Sequence, residues 1–128
     1  MKTTLALILL FTASLSFGKD FLKKGQKDII LKEIDLICGD TWCSGDYNFN
    51  FKSIQCDDTK AVCQINYEMF IWEHDEAKLS LNCLIRPVKK FSDMVKKSGT
   101  YFLIQETFYE KMSSCLEINI IKYGPELI

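Results

Sequence analysis

Six cysteines, Cys38, Cys43, Cys56, Cys63, Cys83 and Cys115, constrain this chain more than any other feature of its sequence. In an oxidising compartment an even set in a short chain forms disulfides; in a reducing one it points to metal or redox chemistry. The N terminus decides between the two. Residues 1–18 read MKTTLALILLFTASLSFG, with Lys2 ahead of an apolar run over residues 5–11 and small residues from Thr12 to Gly18. That order is a secretory leader, with Ser16 and Gly18 placed for cleavage before Lys19. The apolar run falls well short of the ~20 residues that cross a bilayer, and no later segment approaches that length. The expected organisation is a signal peptide over 1–18 and one domain over 19–128. The expected location is periplasmic or secreted, with no transmembrane segment once the leader is removed.

Disulfides are therefore the expected use of the cysteines. Cys56 and Cys63 flank DDTKAV, which reads as a hairpin tip, so they would face each other across two strands. Cys38 and Cys43 enclose a Gly-Asp-Thr-Trp segment and would close a small ring. Cys83 and Cys115 would then tie a strand to the C-terminal region. A scrambled connectivity remains open at this level. Redox chemistry has little support, because no Cys-x-x-Cys occurs and WCSGD lacks the second cysteine of a thioredoxin-type site. Zinc has little either, with unsuitable spacings and a single histidine. No cofactor is expected.

Among 128 residues 48% are apolar, which suits one folded domain rather than a disordered chain. Sixteen Lys and Arg stand against seventeen Asp and Glu, so no basic excess exists to neutralise a phosphate backbone. Nucleic acid is not an expected partner.

Along the chain, Asp28 precedes a helical pattern through residue 37, with Ile29, Ile30, Glu33, Ile34 and Ile37 on one face and Gly39 as its stop. Residues 47–51 (YNFNF), 63–69 and 79–85 alternate apolar and polar, the mark of three antiparallel strands with one wet face. The phase of the first slips between Phe51 and Ile54, which predicts a bulge near Lys52-Ser53. Val88, Phe91, Met94 and Val95 make a helical stripe over 88–97, ended by Gly99. Residues 100–105 (TYFLIQ) read as a fourth strand. Thr107-x-x-Glu110 is a capping box opening a last helix to about Glu117, with Phe108, Met112 and Cys115 on one face. The expected fold is a small disulfide-stabilised α+β domain: a three-stranded antiparallel meander, a fourth strand, and helices on one face.

Candidate sites are few. Asp46-x-Asn48-x-Asn50, with Asp57 eleven residues on, superficially fits a calcium loop, but Phe51 stands where glycine is needed. Alternating asparagines on a solvated strand explain the same letters. His74, the only histidine, lies in an EHDE run where strands two and three must turn. It would need a positioned nucleophile to act as a base. The pairs Lys89-Lys90 and Lys96-Lys97 would line the solvent face of a helix, where they could attract an acidic surface or lipid headgroups. Trp42 in the ring and Trp72 beside exposed acids are the best hints of a partner site, since exposed tryptophan is enriched at binding hot spots. Packing of Trp42 on the sheet edge is the plainer reading. The candidate binding residues are Trp42, Asp40, Asp46 and Trp72, on and around a ring that loses little entropy on binding.

The segment CGDTWCSGDY, followed by Cys56, Cys63 and later Phe108-Tyr109-Glu110 before Cys115, resembles a group of small exported cysteine-rich proteins of predatory Gram-negative bacteria, Bdellovibrio relatives, with a CGDTWC loop. The resemblance spans residues 34–116. It implies export and a shared fold, and it carries over no catalytic residue. Small periplasmic enzyme inhibitors are similar in size, disulfides and the Ser44-Gly45-x-Tyr47 fragment alone.

The expected function is thus an exported, non-enzymatic binding module, inhibitor-like or envelope-associated, whose partner is a protein or envelope component. The alternative is a small secreted hydrolase using His74 or an aspartate cluster of Asp40, Asp46, Asp57 and Asp58.

Overall fold

Strand alternation at 47–51, 63–69 and 79–85 is the visible part of a longer meander. A computed structural model describes residues 19–43 and 45–128 of the chain; the expected leader over 1–18 lies outside the described residues. Strands β1 (Tyr47–Asp57), β2 (Val62–Ile71) and β3 (His74–Ile85) form an antiparallel sheet in the order β1-β2-β3. The register shifts between Phe51 and Ser53, so the predicted bulge is present. It keeps Phe49, Phe51, Ile54 and Cys56 on the inner side despite the broken alternation. Cys63, Ile65, Tyr67 and Met69 face inward from β2, with Cys83 and Ile85 from β3. The outer face is polar: Asn66 donates to Ser53 at 3.0 Å, Gln64 to Asn66 at 2.8 Å and Asn50 to Glu68 at 3.3 Å.

Helix α1 (Lys24–Ile37) and helix α2 (Glu106–Tyr123) cover the inner face. α1 packs against β1 and contributes Ile30 and Ile34; α2 packs against β3 and contributes Phe108, Met112 and Leu116. Both helices differ from expectation at their ends. α1 begins four residues before Asp28, where Lys24-Gly25-Gln26-Lys27 carries no apolar signal. Gln26 accepts the Lys23 N–H at 2.9 Å, and Lys24 pairs with Asp28 at 3.2 Å. α2 begins at Glu106, before the capping box, and continues past Glu117 to Tyr123, because Ile120 still packs against the core.

Residues 88–97 are not a helix. A single 3-10 turn, Phe91–Asp93, is followed by β4 (Val95–Ser98), which pairs with β5 (Tyr101–Ile104) in a separate two-stranded sheet. The expected fourth strand therefore exists as β5, but its partner is β4 and not the meander. Gly99 has φ +64°, the conformation needed in a two-residue hairpin turn, so it turns a hairpin and does not end a helix. Val88, Met94 and Val95 are buried as the stripe implied, along a different backbone path. Lys96 and Lys97 accordingly sit on a strand and not on one helical face.

The three disulfides are Cys38–Cys43, Cys56–Cys63 and Cys83–Cys115, with Cα–Cα separations of 4.8, 4.0 and 5.9 Å. Cys56 and Cys63 are directly opposite in the β1–β2 register. Such crosslinks fit an oxidising compartment. Among the described residues no helix is long and apolar enough to cross a membrane.

Candidate functional site

Gly39 does not end α1. The chain widens into a π-helical turn, Cys38–Trp42, closed by the Cys43 N–H on the Cys38 carbonyl at 2.7 Å. A π turn bonds residues five apart, and the Cys38–Cys43 disulfide also spans five residues. Backbone and crosslink thus favour the same widened turn. Its neighbour β1 is an edge strand, and both sulfurs lie against the Phe49 carbonyl, at 3.8 and 4.0 Å.

The turn projects side chains two ways. On one side Asp40 and Thr41 join Glu33 and Ile37 of α1, Leu103 and Ile104 of β5, and Glu106 and Tyr109 of α2. These enclose a groove of ≈ 460 Å³ between the two helices and the hairpin. Its floor is apolar, from Ile37, Leu103 and Ile104. Three carboxylates, Glu33, Asp40 and Glu106, stand around it, and none is in an ion pair among the described residues. Among the described residues no Lys or Arg lines it.

Trp42 supports this groove from behind. Its ring stacks on Tyr109 at 5.5 Å and 14°, meets Phe51 edge-on at 6.0 Å, and its Nε1–H donates to Ser113 Oγ at 2.8 Å. A stacked pair of this kind fixes both rings. Trp42 therefore packs at the sheet edge and holds Tyr109, which forms the groove wall. Of the four candidate binding residues, Asp40 lines the groove and Trp42 reaches it through Tyr109.

Trp72 and Asp46 lie elsewhere. Trp72 is 57% exposed in the β2–β3 turn and lines a smaller cleft of ≈ 280 Å³ with Asp35, Gly39, the Cys38–Cys43 disulfide, Asn48 and Phe49. Its N–H donates to the Asp46 carbonyl at 3.0 Å, while the Asp46 residue is exposed. The ring thus borders two clefts; Trp72 lines the second, and Trp42 lines neither, reaching the first through Tyr109.

The groups invoked for hydrolysis are spread apart. His74 opens β3 with its side chain 69% exposed and its Nδ1 3.9 Å from Glu76. Among the described residues no hydroxyl or thiol hydrogen-bonds to it. Asp46 immediately precedes β1 and Asp57 ends it, about 35 Å apart over eleven extended steps. Asp57 is buried and accepts the N–H groups of Thr59 at 2.8 Å and Lys60 at 3.1 Å, so it shapes the β1–β2 turn. Asn48 accepts the Phe49 N–H at 2.9 Å, a local contact on a strand and not a wrapped calcium loop. Among the described residues no three His, Cys, Asp or Glu side chains are placed to hold a metal ion.

Sequence reasoning missed Glu33, Leu103, Ile104, Glu106 and Tyr109 as groove residues. One signal was available: Glu33 falls on the apolar stripe of α1, where a carboxylate needs a reason. The reason is the groove, which lets it remain half-exposed beside Ile37. The chain matches no family model, no curated protein and no solved structure.

Proposed function

We propose that this chain is an exported, non-enzymatic binding module, periplasmic or secreted, that takes a basic and partly apolar segment of another protein into the groove between α1, α2 and β5. The observation that carries this reading is the pairing of an apolar floor with three carboxylates that lack ion-pair partners among the described residues. Such a surface favours a ligand with a cationic group beside an aliphatic side chain. Charge complementarity supplies orientation and on-rate, and the apolar floor supplies burial. The disulfide-closed turn presents Asp40 and Thr41 without further ordering on binding. Export draws its support from the leader pattern and from the oxidised cysteines.

The test is a titration of isotope-labelled protein with an acetylated, amidated Leu-Lys-Leu-Lys tetrapeptide, followed by amide chemical shifts. Shifts should concentrate at Glu33, Asp40, Leu103, Glu106 and Tyr109. Glu33→Gln combined with Glu106→Gln should weaken binding about fivefold at low salt, since each exposed ion pair contributes roughly 0.2–1 kcal/mol. Shifts centred on another face, or unchanged affinity in the double variant, would reject the groove.

A further inference from the structure

The hairpin β4–β5 carries a second surface of opposite character. Lys89, Lys90, Lys96 and Lys97 are all exposed and fall within nine residues of a chain whose net charge is −1. None of the four is in an ion pair among the described residues. Asp93 is the one carboxylate between them, and its Oδ2 accepts the backbone N–H groups of Lys89 at 2.8 Å and Lys90 at 3.2 Å. The register pairs Lys96 with Leu103 and Ser98 with Tyr101, so these four share one face of the hairpin. Tyr101 is 71% exposed and Leu103 49%.

The other face is fixed. Phe102 meets Phe91 edge-on at 6.2 Å, Val95 is buried, and the Gln105 N–H donates to the Met94 carbonyl at 2.8 Å. The exposed aromatic and aliphatic groups are therefore held out on an anchored hairpin, with ammonium groups beside and behind them.

From this we infer that the hairpin docks on an anionic phospholipid bilayer, Tyr101 and Leu103 entering the headgroup boundary and the lysines meeting phosphate charge. Tyrosine suits that boundary because its ring is apolar and its hydroxyl stays wet. Lysines reach the headgroups on flexible apolar stems. Nucleic acid fits less well, since the exposed aliphatic Leu103 beside Tyr101 gains burial in a bilayer and none against a phosphate backbone. The surface meets the proposed partner groove at Leu103, which belongs to both; Tyr101 and the four lysines lie outside the groove lining.

The experiment is co-sedimentation of the oxidised protein with vesicles of phosphatidylcholine alone and of equimolar phosphatidylcholine and phosphatidylglycerol. Binding should require phosphatidylglycerol and weaken as salt is raised. Lys96→Gln with Lys97→Gln should lower partitioning at least tenfold, because each lysine near an anionic surface accounts for roughly a fivefold change. Lys23→Gln with Lys24→Gln, the same charge change on exposed residues at the start of α1, should have a much smaller effect. Tyr101→Ser should lower partitioning several-fold without altering the unfolding transition. No binding to the mixed vesicles, or equal loss in both lysine pairs, would overturn the assignment. Full retention by Tyr101→Ser would overturn insertion of the hairpin.

Discussion

All three disulfides lie in the sheet, in α2 and in the π turn that follows α1, and none reaches the β4–β5 hairpin. The sheet buries its inner side chains almost completely and shows a polar outer face, whereas the hairpin leaves Tyr101 and Leu103 in solvent. Between the two lies the groove, one wall from each: α1 and the π turn on the crosslinked side, β5 on the other. One crosslink closes the turn that lines the groove, whereas the hairpin is held by packing and backbone hydrogen bonds alone. A molecule of this size gains stability from its staples without having to bury the side chains it presents.

The strongest way to break this contrast is to remove the staple that joins sheet to helix. Cys83→Ala with Cys115→Ala, a pair 32 residues apart in sequence, should cost about 3–4 kcal/mol in a denaturant titration. A loss below 1 kcal/mol would mean that packing of Met112 and Leu116 alone holds α2 to the sheet. The second test acts where the two regions meet. Trp42→Ala should cost about 2–3 kcal/mol, because it removes a stacked ring and leaves Ser113 without its donor. The same variant should weaken the tetrapeptide through Tyr109. Unchanged stability would place Trp42 outside the packed structure.

The smallest effect sharpens the account of the crosslinked side. Tyr67, 1% exposed, has its pKa raised above 10.0 by burial, opposed in part by the Asn119 hydrogen bond at 2.5 Å and assisted by Tyr123. A raised phenol pKa means that the folded state retains the proton longer than the unfolded chain. Stability is therefore fully present below pH 10 and falls as pH rises through the folded value. Tyr67→Phe should flatten that alkaline decline and cost about 1 kcal/mol at neutral pH for the lost hydrogen bond. An alkaline slope identical to that of the native chain would assign the decline to other groups.

The same contrast explains what the sequence disclosed. Strands β1, β2 and β3 each have one wet and one dry face, so period-two alternation writes their register, and the cysteine pairing follows from it. The 88–97 segment is too short for its period to be decisive. Val88, Phe91, Met94 and Val95 satisfy a helical spacing, yet the same residues reach the core from a 3-10 turn and a strand. Gly99 fits the end of a helix as well as a hairpin turn, and the choice is made by β5 pairing beyond it. The groove joins residues 33 to 109 through packing of α1, β5 and α2, and no local pattern records that meeting. Trp42 was visible as a residue worth attention; its role behind Tyr109 depends on a helix more than sixty residues away.

Asp20 has a consequence for how the molecule avoids its own kind. Its Oδ1 accepts the N–H groups of Leu22 at 3.0 Å and Cys56 at 3.3 Å, its Oδ2 pairs with Lys27 at 2.7 Å, and next to it the Lys19 carbonyl accepts the Asp58 N–H at 3.0 Å. Residues 19 and 20 thus occupy hydrogen-bonding positions at one end of the β1 edge that a strand from another molecule would otherwise take. A chain trimmed by those two residues would keep all six cysteines and most of its core. It would also carry an open strand edge, a template for self-association in a molecule whose disulfides still report it as correctly folded.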